Sequence, residues 1–327
     1  MNEGKIITFA VIGSFWLTEK MIHVFNSSDK VRYVAQYSRS IKKAHEFVGS
    51  RDDIMLFDNI SELAADKSID AVYVASPNYL HYEHARILLE SGKHVLCEKP
   101  ACVTSEQFFG LCEISDKREV IFMEAMMNSH LPWINEIGEI IFKNKVISAN
   151  INFCQRSSKL DGLKEGKIAS TFNKECAGGV LMDLGVYVIS FLVQLFGKPE
   201  SISANAVYGG NNVDVTDNLL LKYNDFSVTA NISKMASSCL PSEIITDNCS
   251  VIIDNISRLQ NVKVIDRNDN TVLIHGVSDY EDCMRFELDD FISYIKGNKE
   301  EYLKKRNNTA DTLKIMSDIR NLIGYSI

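Results

Sequence analysis

The chain has no concentrated basic stretch. Its densest one, Lys304-Lys305-Arg306, sits next to Glu300 and Glu301. With 35 basic against 43 acidic residues, the net charge is −8. A protein that binds a phosphate backbone needs a concentrated positive face, so nucleic acid is not an expected partner. The eight cysteines (Cys97, Cys102, Cys112, Cys154, Cys176, Cys239, Cys249 and Cys283) contain no C-x-x-C, and no cysteine–histidine group has zinc-ligand spacing. A chain of 327 residues can build a core without covalent staples. Free thiols in a reducing, cytoplasmic setting are therefore expected, with no metal. Nothing repeats at solenoid spacing. The N-terminal apolar run 6–17 follows Lys5, but it is too short to span a bilayer, and Thr18-Glu19-Lys20 offers no small-residue cleavage site. It reads as a strand entering a helix, and no membrane partner is expected.

What is present is ordinary globular material. Hydrophobic residues make up 46% and charged residues 24%, too apolar for disorder. At roughly 150 residues per domain, two domains are expected. In the first third, strand-like and helix-like stretches alternate. Strands are predicted at 6–12, 31–37, 54–57, 69–75, 94–97 and 120–123, with helices at 16–25, 41–48, 81–90 and 105–115. Such alternation means a parallel, doubly wound sheet. After residue 123 the pattern becomes strand-rich, with strands at 146–155, 202–208, 218–223, 226–233, 250–254, 262–266 and 271–275. Asn224-Asp225 supplies a hairpin turn. One apolar helix, 181–196, interrupts this second sheet, and helices near 281–296 and 309–322 close the chain. The expected domains are 1–123 and 124–327, with the closing helices packing back on the first. Residues 157–179 lack periodicity and suit a loop that shapes a site.

Four stretches could carry chemistry. The first strand-to-helix turn reads Gly13-Ser14-Phe15-Trp16-Leu17-Thr18. A dinucleotide turn asks for G-x-G-x-x-G/A, so that backbone amides can approach a pyrophosphate. Gly13 fits, whereas Phe15 and Thr18 replace the second and third small residues. An ordinary buried turn accounts for this text equally well. The second strand ends in Tyr37-Ser38-Arg39-Ser40 and lacks the acidic residue that would bond an NAD ribose. Hydroxyls and a guanidinium suit a 2′-phosphate instead; in isolation, Arg39 would be a solvated charge. Residues 71–100 run from a strand through the Ser76-Pro77-Asn78 turn and a helix to Cys97-Glu98-Lys99-Pro100. Both turns lie at strand carboxyl ends, where open α/β sheets bind ligands, though a lysine before a turn is usually a surface lysine. Finally, the helix at 181–196 carries Asp183 and Tyr187 four residues apart, on one face. A buried Asp needs a partner or a site. Asp183 could instead cap the helix after Gly178-Gly179, and Tyr187 could be a core tyrosine.

Taken together, these residues resemble the Gfo/Idh/MocA oxidoreductases, which include glucose–fructose oxidoreductase, inositol dehydrogenases and dimeric dihydrodiol dehydrogenase. The resemblance spans nearly the whole length. It rests on Ser76-Pro77-Asn78 with His81, Gly92-Lys93-His94-Val95, Glu98-Lys99-Pro100, and Gly178-Gly179 followed by Asp183-Leu184-Gly185-Val186-Tyr187. It implies an N-terminal Rossmann domain and a C-terminal α/β domain with a large, open, mostly antiparallel sheet, whose exposed face pairs subunits into a homodimer or homotetramer. The implied activity is hydride transfer between NADP or NAD, NADP being favoured, and a sugar, polyol or related small hydroxy or carbonyl compound. Tyr187 would be the acid/base, Lys99 its electrostatic partner, and Asp183 would orient the substrate. A phenol titrates near 10 in water, and an adjacent ammonium favours the phenolate. The cofactor would be held by Gly13, Ser14, Phe15, Trp16, Ser38, Arg39, Ser76, Asn78, His81 and Glu98. Specificity would sit in 157–179, where Lys159, Lys167 and Lys174 either meet substrate or stay solvated. The altered glycine turn favours an alternative, a non-catalytic dinucleotide- or sugar-sensing regulator on the same fold. The joint presence of Lys99, Asp183 and Tyr187 opposes it.

Overall fold

Ile7–Ile12 forms β1 and is buried at every position but Thr8, as a central parallel strand covered on both faces must be. The structure, a computed structural model, describes residues 5–210 and 212–325. Among the described residues, the strands form two sheets. The first contains β1, β2 (Val31–Tyr37), β3 (Met55–Phe57), β4 (Ala71–Val74), β5 (His94–Glu98) and β6 (Phe122–Ala125), in the order β3-β2-β1-β4-β5-β6. Every pairing is parallel. Parallel neighbours need crossovers, supplied by α1 (Trp16–Asn26), α2 (Ile41–Val48), α3 (Ile60–Ala65), α4 (Asn78–Glu90) and α5 (Ser105–Arg118). The strand order reverses between β1 and β4, so their carboxyl ends form the topological switch point of a Rossmann sheet.

The chain divides into two units, one of residues 1–125 with 280–307, the other of 126–279 with 308–327. The first unit therefore includes a late segment of the chain, the helix α10 (Tyr280–Ile295) and the first turns of α11 (Lys299–Ile323). Phe291 sets its ring 5.9 Å from Phe9 of β1. The Tyr302 hydroxyl donates to the Phe122 carbonyl at 3.2 Å, and Arg306 makes a two-pronged ion pair with Asp116.

The second unit holds α6 (Met127–His130), α7 (Trp133–Phe142), α8 (Leu160–Lys164), α9 (Val186–Phe196) and the second sheet. Its strands are β7 (Val146–Cys154), β8 (Ser201–Tyr208), β9 (Asp214–Lys222), β10 (Ser227–Ser233), β11 (Ser242–Thr246), β12 (Cys249–Ile253), β13 (Val262–Asp266) and β14 (Thr271–His275). Their order is β14-β13-β12-β11-β7-β10-β9-β8, antiparallel apart from the β7–β10 pair. β9 and β10 alternate buried and exposed positions, as a sheet covered on one face does. They meet in a hairpin at Asn224-Asp225, closed by the Tyr223 amide on the Phe226 carbonyl at 2.9 Å. The run Lys174–Phe196 is apolar and long enough to cross a membrane by length and composition, yet 83% of its most apolar window is buried inside the protein. It is a core helix. All eight cysteines are free.

The expected helix at 181–196 is in fact two geometries: a π-helical turn at Leu181–Gly185, then α9. The β11 strand was not predicted. β9 starts at Asp214, where its buried acids Asp214 and Asp217 disguise a strand as polar chain. α11 starts at Lys299, before the expected 309, and its charged first turns show little apolar periodicity by which to find them.

Candidate functional site

In the first unit, the predicted cofactor residues gather at the carboxyl ends of β1, β2, β4 and β5. Gly13 has φ +119°, and a Cβ there would meet the Ala75 carbonyl oxygen at 2.6 Å. Only glycine lets the turn after β1 pass so close to the end of β4. Buried Gln36 holds this turn from below: its amide donates to the Gly13 carbonyl at 2.7 Å, while Tyr33 donates to its oxygen at 2.8 Å. Phe15 does not close the turn inward. Its backbone is extended, the residue is 40% exposed, and Trp16, next to it, is 53% exposed. Trp16 rests edge-on against Tyr280. Thr18 replaces the third small residue of the fingerprint; it is fully buried, accepting from the Phe15 amide at 3.0 Å and donating to the Phe15 carbonyl at 2.7 Å. It thus caps the start of α1 from inside.

At the end of β2, the Ser38 amide bonds the Phe57 carbonyl, and Arg39 is exposed. Ser76 and Asn78 flank Pro77 at the start of α4, both half-buried. His81 is 1% exposed, with Nε2 2.7 Å from the Ser76 carbonyl and Nδ1 2.9 Å from the Pro100 carbonyl. The two carbonyls favour a protonated ring; burial, with the Lys99 charge adding to it, opposes this and lowers the pKa. Both ring nitrogens face carbonyls of the protein, so His81 lies between the two motif turns, and the neutral ring donates to one of them. His84 supports the same turn through the Ser76 hydroxyl at 3.1 Å, and burial lowers its pKa to about 4.

Glu98 is likewise turned inward, taking the Tyr73 hydroxyl on Oε1 and the Lys99 amide on Oε2. Glu124 accepts the Ala101 amide at 2.8 Å. Glu287 of α10 is buried against both carboxyl groups, and that burial raises its pKa well above the ordinary range. Sequence reasoning had no signal for this cluster, since its members lie far apart in the chain. Lys93, within the motif Gly92-Lys93-His94-Val95, is buried near the opposite end of the sheet and donates to the Asp66 and Ile69 carbonyls.

In the second unit, Ala177 through Val193 is buried at every position except Asp183 and Tyr187. The glycines before this helix are required by close approach. A Cβ on Gly178 would meet the Ser170 carbonyl at 2.6 Å, and one on Gly179, whose φ is +103°, would meet Asp214 Oδ1 at 2.0 Å. Asp214 Oδ2 accepts the Leu181 amide at 2.7 Å. Asp214 therefore serves the helix start, and Asp183 is released from the capping role considered above. Asp183 Oδ2 accepts the Thr171 hydroxyl at 3.0 Å and pairs with the Lys234 ammonium at 2.8 Å. Tyr187 lies edge-on to Phe153, and its carbonyl accepts from buried Asn128. Of the loop lysines, Lys167 is a solvated partner of Glu165, and Lys174 lies over the Tyr325 ring. Lys159 precedes α8, with its amide on the Ser157 hydroxyl.

Asp217 is buried against Asp214, and no other donor reaches its oxygens among the described residues. Burial, followed by the Asp214 charge, pushes its pKa up to about 9. Two buried carboxyl groups side by side disfavour a second negative charge, so the pair favours holding a proton.

Comparison with known proteins places these features in a wider set. Residues 7–126 match the family model described as "Oxidoreductase family, NAD-binding Rossmann fold", and residues 145–251 match the GFO/IDH/MocA C-terminal domain. The scyllo-inositol 2-dehydrogenase (NADP(+)) of Bacillus subtilis is 33% identical over 324 residues, covering 98% of each chain. The trans-1,2-dihydrobenzene-1,2-diol dehydrogenase of Xenopus tropicalis is 24% identical over 313 residues, covering 90% of each. A 3-ketoreductase from Actinomadura kijaniata, solved with NADP and TDP-benzene, superposes with TM-score 0.85 at 19% identity, covering 98% of each chain. That likeness is one of fold.

The Asp214–Asp217 pair has a consequence in solution. The folded state keeps a proton on Asp217 up to about pH 9, whereas the unfolded chain releases it near the ordinary 3.8. Between those values the unfolded state binds fewer protons, so this group costs stability as pH rises. Asp217→Asn should flatten this dependence, so that the variant gains stability relative to the parent between pH 5.5 and pH 8.5. Urea unfolding at pH 5.5 and 8.5 checks this; an unchanged slope would contradict the assignment.

Proposed function

This chain belongs to the Gfo/Idh/MocA family, whose N-terminal model is an NAD-binding Rossmann fold, and on that premise we propose that it transfers a hydride between NADP and a sugar, polyol or related small hydroxy compound. The observation that carries the proposal is the pattern of exposure on the buried 177–193 segment, where Asp183 and Tyr187 alone reach the surface. A helix that buries everything else and still spends exposure on a carboxylate and a phenol is arranged for chemistry rather than packing. The relative from Bacillus subtilis, named for inositol oxidation with NADP(+), supports the substrate class.

The first unit suits the cofactor. Gly13 keeps its turn free of a Cβ at the switch point. Ser38, Arg39 and Ser40 give the end of β2 hydroxyl and guanidinium donors where no carboxylate stands, a donor set for a 2′-phosphate. Ser14, the turn amides and Asn78 complete the cradle, with Phe15 and Trp16 as its exposed aromatic wall. His81 and Glu98 act from behind by fixing the turns. When bound, the nicotinamide supplies a hydride acceptor or donor at C4. Tyr187 holds the proton of the reacting hydroxyl on its phenolic oxygen, in or out according to direction. The Lys99 ammonium stabilises negative charge as it develops on the reacting oxygen. Asp183 accepts a hydrogen bond from a substrate hydroxyl and so fixes which carbon reacts.

We further read the protein as a cytoplasmic homodimer or homotetramer joined through its second sheet. The outward face of that sheet carries a cross-strand row of amides, Asn205, Asn218, Asn231 and Asn152, on β8, β9, β10 and β7. Exposed Ile147, Val207 and Leu220 lie on the same sheet.

Two measurements test the reading. With a panel of inositols, aldoses and dihydrodiols, Tyr187→Phe should lower kcat by roughly a hundred- to ten-thousandfold and leave NADP affinity unchanged. Retained turnover, or a parent inactive on the whole panel, would favour a binding protein. In calorimetric titration, Arg39→Ala should weaken NADP by roughly ten- to a hundredfold with little change for NAD. Equal loss for both would remove the 2′-phosphate assignment.

A further inference from the structure

Lys234, just past β10, is 1% exposed, and its surroundings are not those of a packing residue. Its ammonium pairs with Asp183 Oδ2 at 2.8 Å, bonds the Thr171 hydroxyl and carbonyl, and lies 4.9 Å from the centre of the Phe172 ring. Its backbone is committed as well: the amide donates to the Val215 carbonyl, and the carbonyl accepts the Ser157 amide at 2.9 Å. The residue thus grips the 157–179 segment at its first residue and again at Thr171. Thr171 is itself built into the bend before the helix, because its carbonyl accepts the Gly179 amide at 3.1 Å and its hydroxyl donates to Asp183. Beneath the bend, Leu160, Phe172, Val213, Val215 and Tyr325 form a small apolar cluster, and Tyr325 donates to the Gly178 carbonyl.

We propose that Lys234 is a positioning residue that locks the 170–179 bend onto Asp183, so that the loop and the substrate-orienting carboxylate are held as one rigid piece. A buried ammonium costs several kcal/mol to desolvate unless it is paired and hydrogen-bonded. Lys234 satisfies that demand only while Thr171 and Asp183 stay where they are, and this couples the loop to the carboxylate. The ammonium also occupies Oδ2 of Asp183, which fixes the plane of the carboxylate toward a substrate hydroxyl. This inference rests on the reading of Asp183 given above.

The test compares the parent with Lys234→Met, which keeps the length but loses the charge, and Thr171→Val, which keeps the shape but loses the hydroxyl. Both should raise KM for the best polyol of the panel by roughly ten- to a hundredfold, leave NADP affinity unchanged, and speed amide hydrogen exchange across 170–179. Thr171→Ser should restore KM. If Lys234→Met and Thr171→Val leave KM unchanged while Asp183→Asn raises it, the proposal is overturned. Should Lys234→Met fail to fold, Thr171→Val carries the same comparison. If the parent turns over no polyol, the functional reading falls by itself. The clamp is then decided by exchange alone, and unchanged protection at Asn173, Gly178 and Gly179 overturns it.

Discussion

The Asp214 carboxylate accepts the Leu181 amide at 2.7 Å and places its other oxygen where a Cβ on residue 179 would stand. Much of the second unit's chemistry depends on that contact. It sets where the apolar helix begins and forces a residue without a side chain at 179. The helix begins with a π-helical turn, which carries Asp183. Turns of this kind recur at functional positions because they redirect a side chain within an otherwise regular helix. The cost of burying Asp214 is spread over neighbours: Asp217 gives it a proton to share, and the Lys234 charge lies close enough to favour its ionised form. An acid pair at the start of β9 and a lysine at the end of β10 thereby become one electrostatic unit with Asp183.

The first unit uses a different constraint, close backbone approach. Gly13 passes the end of β4 at a distance that no Cβ tolerates, and Gln36 holds it there from β2. His81 then packs between the turn after β4 and the turn after β5, with a ring nitrogen facing a carbonyl of each. Substituting Phe15 and Thr18 for the small residues of a dinucleotide turn leaves this geometry standing. Thr18 folds inward as a cap, and Phe15 and Trp16 stay largely exposed.

The fold was legible wherever burial was two-sided or strictly alternating. β1 and β4 are continuous apolar runs, and β10 alternates, so period and composition identify them. The motif residues Lys99, Asp183 and Tyr187 were legible as text, through spacing and through an acid set in an apolar helix. Other parts were hidden for stated reasons. The start of β9 reads as polar because Asp214 and Asp217 are buried acids that only tertiary partners make tolerable. The first turns of α11 are charged and carry little periodicity. Lys234 looks like any lysine at a strand end, and its burial comes from Thr171 and Asp183, which are remote in sequence. His81 and Glu98 belong to the motif, but their inward orientation follows from Pro100, Ser76 and Tyr73, which spacing does not reveal.

The central claim is direct transfer of hydrogen between a carbinol carbon and the nicotinamide ring. The measurement that meets it head-on uses a turned-over polyol carrying deuterium on its carbinol carbons, with NADP in ordinary water and magnetic resonance of the reduced product. The account predicts one deuterium at C4 of NADPH for each molecule oxidised, on a single face of the ring, with none lost to solvent. NADPH that forms without deuterium, or product released with no net reduction of NADP, would contradict it.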